Sequence, residues 1–141
     1  MTPRSGEAAS RMGRVRVSSG APWEATVGYS RAVRTGNFVA VAGTVAANGD
    51  GTIHAPGDAY AQARRCLEII EAALREAGAT MADVVRTRMF VTNIAHSEEF
   101  GRAHGEFFAD VRPAATMVEV RALINEAALI EIEVDAIVAD S

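Results

Sequence analysis

At 141 residues, with 49% apolar and 23% charged side chains, the chain has the length and composition of one globular domain with a substantial core. It carries one cysteine, Cys66, and all 14 of its basic side chains are arginine. An internal disulfide framework, a Cys-rich zinc site, a Walker-type phosphate loop and a lysine Schiff base are thereby excluded. Charge is uneven: the first sixteen residues hold four arginines against Glu7, and the rest hold ten arginines against seventeen acids. An acidic body of this kind does not suit a nucleic-acid surface, and no nucleic-acid partner is expected. No apolar run approaches the ~20 residues of a membrane helix. The first residues also lack the apolar centre of a signal peptide, so a cytoplasmic protein without a membrane contact is expected.

Residues 1 to about 20 read as an irregular basic arm, ahead of a single domain over 21–141. Tyr29 to Arg34 and Phe38 to Ala42 read as two strands joined at Gly36-Asn37, residue types that tolerate the positive φ of a tight hairpin. Asn48-Gly49-Asp50-Gly51 marks a second turn. It is no calcium loop, since Ala46 and Gly57 stand where the first and last carboxylates belong. A helix begins after Asp58, a good N-cap, and ends at Gly78. Its apolar face is Ala63, Cys66, Leu67, Ile70, Ala73, Leu74 and Ala77, which makes Cys66 core filler. Arg64 with Glu68 and Glu71 with Arg75 form i,i+4 pairs on its wet side.

Val84 to Thr92 reads as a strand with Val85, Thr87, Met89 and Val91 on one face and Arg86, Arg88 and Phe90 on the other. Ser97 is placed to cap a second helix whose apolar side is Phe100, Ala103, His104, Phe107 and Phe108. On that side His104 reads as a satisfied core histidine. Two last strands, Ala115 to Val120 and Leu129 to Val138, complete the order β-β-α-β-α-β-β, an α+β domain with its helices on one sheet face.

Familiar chemistry is absent. His54, His96 and His104 have no ligand spacing, so no metal is expected, and no cofactor or nucleophile motif occurs. The unusual feature is the last strand, where Glu131, Glu133 and Asp135 share one face opposite Ile130, Ile132, Val134, Ala136 and Val138. Unpaired buried carboxylates are costly. These acids therefore either face solvent or Arg86 and Arg88, or include one glutamate in a partly dry cleft that acts as a general acid/base.

A set of segments then carries a resemblance. They are Gly28-Tyr29, the Gly36-Asn37 turn into Phe38–Gly43, Ala63 to Gly78, Val84 to Asn93, Phe107-Phe108, Arg112-Pro113-Ala114 and Ile130-Glu131-Ile132-Glu133. In this order, over about residues 24 to 139, the chain resembles the RidA (YjgF-like, reactive intermediate deaminase) family. The resemblance implies a chorismate-mutase-like α+β fold, a homotrimer with a central barrel and sites between subunits, and no cofactor. It implies hydrolysis of reactive enamines and imines, with Glu131 helping to activate water and Tyr29 lining the site. The family's carboxylate-gripping arginine follows Pro-Ala, and here that position is Ala115. Ala42, Met117 and Gly101 stand where serine, cysteine and asparagine are common. The resemblance thus implies an arginine-lacking member with Ala115 and Met117 in the pocket; on one reading it acts on a small metabolite with altered specificity, and Arg88, from its strand face, is the candidate substitute clamp. The alternative is a non-catalytic ligand-binding or accessory trimer with a more apolar pocket. A ribonuclease role fits poorly with the acidic body and the missing histidine pair.

Overall fold

The computed structural model describes residues 13–140 of the chain. Its strands are β1 (Arg14–Val17), β2 (Ala32–Thr35), β3 (Phe38–Thr44), β4 (Val84–Val91), β5 (Ala114–Glu119) and β6 (Ile130–Ile137), and its helices are α1 (Ala59–Glu76) and α2 (Ser97–Phe108). They form one six-stranded sheet in the order β1-β2-β3-β6-β4-β5. Every neighbouring pair is antiparallel except β4 with β5. A parallel pair needs a crossover, and α2 supplies it. The α+β class expected from the sequence holds, with one strand more at the N-terminal edge.

That strand corrects the expected arm. The run Arg14-Val15-Arg16-Val17 alternates with the period of a strand and pairs with β2 from Arg14↔Thr35 to Val17↔Ala32, so Val17 reaches the core. Residues 1–12 of the expected arm lie outside the described residues.

The β2–β3 hairpin turns at Gly36-Asn37, but only Gly36 takes a positive φ, of 60°. This is the turn that needs glycine at its first central position. Asn37 instead anchors the chain's end: its Nδ2 donates to Asp140 Oδ1 (2.6 Å), and its carbonyl accepts from Val138 N (2.8 Å).

In α1, Asp58 Oδ1 accepts from Ala61 N (3.0 Å), and the predicted apolar face is buried throughout. Arg34 Nη1 donates to Ala77 O at its C-terminal end (2.9 Å). Glu71 meets Arg75 at 3.5 Å, as the spacing predicts. Arg64 does not pair with Glu68. It reaches across to Glu106 on α2 (2.7 Å), which Tyr60 Oη also engages (2.5 Å), because an inter-helix partner lies nearer than the i,i+4 one.

Two further expectations shift. A register irregularity between Val84 and Arg86 turns Val84 inward and leaves Val85 exposed, so the buried face of β4 is Val84, Thr87, Met89 and Val91. Ser97 does not cap α2. A 3₁₀ turn, Ile94–His96, precedes it, and Asn93 Oδ1 accepts from Ala95 N (2.9 Å) at the start of that turn.

Both helices lie on one sheet face. Leu67, Ile70 and Leu74 of α1 and Phe100 and Phe108 of α2 close over Ile130, Ile132 and Val134 of β6. Neither α1 nor α2 covers the opposite face, and Phe38, Val118 and Ile137 stand exposed on the sheet. No described helix is long and apolar enough to cross a membrane.

Candidate functional site

The alternation along β6 determines where charge can sit. Ile130, Ile132, Val134 and Ala136 are buried under the helices, which sends Glu131, Glu133 and Asp135 to the open face, each partly buried. β3 crosses beside Glu131 with one residue too many. Val41 pairs with Val134 and Thr44 with Ile132, so Ala42-Gly43 form a bulge. Thr44 Oγ1 donates to Ala42 O (2.7 Å) and Arg31 Nη2 to Gly43 O (2.7 Å), fixing the bulge from both sides. Gly43 is then pressed against the Glu131 side chain so closely that a Cβ there would overlap the carboxylate. What glycine provides here is room for the Glu131 carboxylate and not backbone freedom, since its φ is not positive; a side chain at this position would displace that carboxylate.

Electrostatics follow from the packing. Burial pushes the Glu131 carboxyl above its ordinary range; Arg31 opposes the shift and Glu133 adds to it. Burial likewise draws the Arg31 guanidinium down, against the nearby Tyr29, Glu24 and Glu131. Arg31 Nε is buried with no hydrogen-bond partner among the described residues. Beside this cluster a groove of about 630 Å³ runs along the open face, lined among others by Arg16, Tyr29, Ala42, Arg88, Glu133 and Asp135. Glu131 lies next to its end, one strand repeat beyond Glu133.

The sequence-predicted residues divide into two groups. Tyr29 and Arg88 line the groove, and Glu131 shares its face. Arg88 is engaged by Glu133 (3.4 Å) and Asp135 (3.3 Å), so the paired-acid reading holds for two of the three acids. Ala115 and Met117 do not join them. They pair in register with Thr87 and Met89, which are buried on the helix-covered face, and Met117 packs against the core. Within one chain these two residues therefore lie on the opposite side of the sheet from Glu131. The sequence reading missed Arg31 and the role of Gly43. The available signals were a charged residue two positions after Tyr29 inside a β-type run, and a glycine inside an apolar strand.

Two other groups fall outside the site. Cys66 is buried under α1, and burial pushes its thiol up to about 12, which makes it inert. His104 Nε2 lies 2.8 Å from Thr87 Oγ1, the satisfied histidine that its helix face predicts. Among the described residues no three His, Cys, Asp or Glu side chains converge as a metal site.

A mixed sheet with one face layered by two helices and an acidic central strand on the other defines a small α+β protein with a one-sided site. The family model described as Endoribonuclease L-PSP matches residues 19–138. An uncharacterised Streptomyces coelicolor protein is 39% identical over 86% of this chain and 90% of its own length. A RutC family protein of Haemophilus influenzae is 36% identical over 77% and 85%. The crystal structure of Rv2704 from Mycobacterium tuberculosis, of the YjgF/YER057c/UK114 family, superimposes with a TM-score of 0.80 at 52% identity, covering 89% of this chain and 99% of that one. The chain belongs to this RidA (YjgF/RutC/L-PSP) family.

Proposed function

We propose that the protein hydrolyses a small reactive imine or enamine, with Glu131 as the general acid/base. The carrying observation is a half-buried carboxyl, raised by desolvation, on the acidic face of β6 with no ion pair within 4 Å among the described residues. Such a carboxyl takes a proton from water as the oxygen adds to the imine carbon. It returns that proton to nitrogen to give the carbinolamine, then relays the hydroxyl proton from oxygen to nitrogen as the C–N bond breaks, which leaves a carbonyl compound and ammonia. Tyr29 and Arg88 on the groove supply ligand contacts.

Homotrimeric assembly belongs to the same reading. Ala115 and Met117 sit on the far side of an edge strand from Glu131, so they reach a Glu131 site only in a neighbouring copy. The exposed Phe38, Val118 and Ile137 give the open face an apolar surface for that contact. Light scattering should return three times the 14.9 kDa chain mass, and a monomeric mass would reject a shared site.

Ammonia release from freshly generated imines and enamines should fall about 10²–10⁴-fold in Glu131→Gln. Unchanged turnover in that variant overturns the general-base role. No turnover by the native chain, together with saturable binding of a small metabolite, selects the accessory reading instead. Alanine at 115 favours that outcome to the extent that a carboxylate ligand needs a planar two-point grip there.

A further inference from the structure

We infer that Arg31 is the positioning residue of the Glu131 site, holding the carboxylate in place through the Ala42-Gly43 bulge and supplying its balancing positive charge. The inference deepens the proposed function and rests on its assignment of Glu131.

Three observations meet at one point. The Arg31 Nη2–Gly43 O bond, at 2.7 Å, ties the guanidinium to the residue whose missing side chain gives Glu131 its seat. Arg31 lies on the same sheet face as Glu131: its carbonyl accepts from Ala42 N (3.0 Å), which continues the β2–β3 pairing and places Arg31 beside Ala42, on the open side. Among the described residues the largely buried guanidinium forms no ion pair and its Nε has no hydrogen-bond partner. A buried arginine that only anchors backbone normally satisfies its donors or meets a carboxylate. Arg31 instead holds one carbonyl and, with Tyr29, Glu24 and Glu131 near but none in an ion pair with it among the described residues, lies next to the one acid of β6 that Arg88 does not neutralise. Arg88 cannot fill this role, because Glu133 and Asp135 already share its Nη1.

Among the described residues the charges acting on Glu131 are Arg31 from the segment before β2 and Glu133 on its own strand; Glu131 in turn helps raise the Cys66 thiol of α1, which stays protonated. Arg31 is the only cation among them. Its removal leaves Glu131 facing burial and a like charge alone, so the carboxyl should hold its proton to higher pH and fail as a base near neutrality.

The test reads Glu131 directly. In protein labelled with ¹³C at glutamate carboxyls, the Glu131 resonance is identified by its loss in Glu131→Gln and titrated in native, Arg31→Gln and Arg31→Lys chains. Arg31→Gln should raise the proton affinity of Glu131 roughly tenfold or more. Arg31→Lys should restore most of the native titration, because it keeps the charge, while still weakening the fold by losing the Gly43 contact. An unchanged Glu131 titration in a folded Arg31→Gln chain overturns the inference, as does an Arg31→Lys chain that titrates like Arg31→Gln. Should Arg31→Gln not fold, the Lys variant and the native Arg31 Nε–H resonance decide: that resonance must move as Glu131 titrates, and its silence is equally fatal. None of these readouts needs turnover. A native chain inactive on every imine would remove the deaminase reading and leave this one standing.

Discussion

β6 lies between two environments that differ by one residue step. Ile130, Ile132, Val134 and Ala136 face the helices and are sealed, while Glu131, Glu133 and Asp135 face the side that neither α1 nor α2 covers. On the first side, stability comes from apolar area removed from water, and any side chain of the right shape serves. On the second, each acid depends on its particular neighbour: Arg88 for Glu133 and Asp135, and the Gly43 bulge with Arg31 for Glu131. Energetics are therefore concentrated on one face and specificity on the other. The acid with the least direct partner, Glu131, is the one proposed above as the general acid/base.

The largest break in that comparison should come from the covered face. Phe100→Ala empties a fully buried position under α2 and should cost about 3–5 kcal/mol in urea unfolding. A loss under about 1 kcal/mol would mean that the face is loosely packed. Next, Gly43→Ala inserts a methyl group into the Glu131 carboxylate and should cost about 1–3 kcal/mol. Adding Glu131→Ala should recover most of that loss, and a double-mutant cycle measures the coupling. Additive costs would show that Gly43 serves some other contact.

A smaller effect depends on pH. Burial holds the His104 imidazole below its ordinary 6.5. The folded chain thus keeps His104 neutral where the unfolded chain takes up a proton. Stability is complete above about pH 6.5 and is lost as pH falls from there through the lowered folded value. The urea midpoint should drop between about pH 7.5 and 5, and His104→Gln should flatten the drop; an unaltered slope would clear His104. Smallest of all, Arg88→Gln removes a half-exposed pair at 3.3–3.4 Å and should change stability by less than about 1 kcal/mol, less still in high salt. A larger loss would show that the open face also carries part of the fold's stability.

Much of this was legible before any coordinates. Apolar residues at three- and four-residue steps in α1, alternation in β6 and Asp58 as a cap all follow from local chemistry, and each lies where its pattern puts it. The misses share a cause. The bulges at Ala42-Gly43 and beside Val85 insert a residue that a strict two-residue period does not anticipate. The Arg64–Glu106 pair and the Asn37–Asp140 bond join residues far apart in the chain. β1 went unseen because four alternating residues rich in arginine look like a charged tail until β2 is there to pair with them.

For the site, the strand pattern pointed only to one of the β6 acids, and the family resemblance singled out Glu131 and Tyr29; both lie on the open side of the sheet with the groove. It also grouped Ala115 and Met117 with them, and only the parallel pairing of β5 with β4 decides that these two face the other way in the same chain. Periodicity tells which residues share a face of one strand. Which strand lies beside it, in what register and under which covering layer is a matter of tertiary packing. That packing left Glu131 against Gly43 with Arg31 behind it.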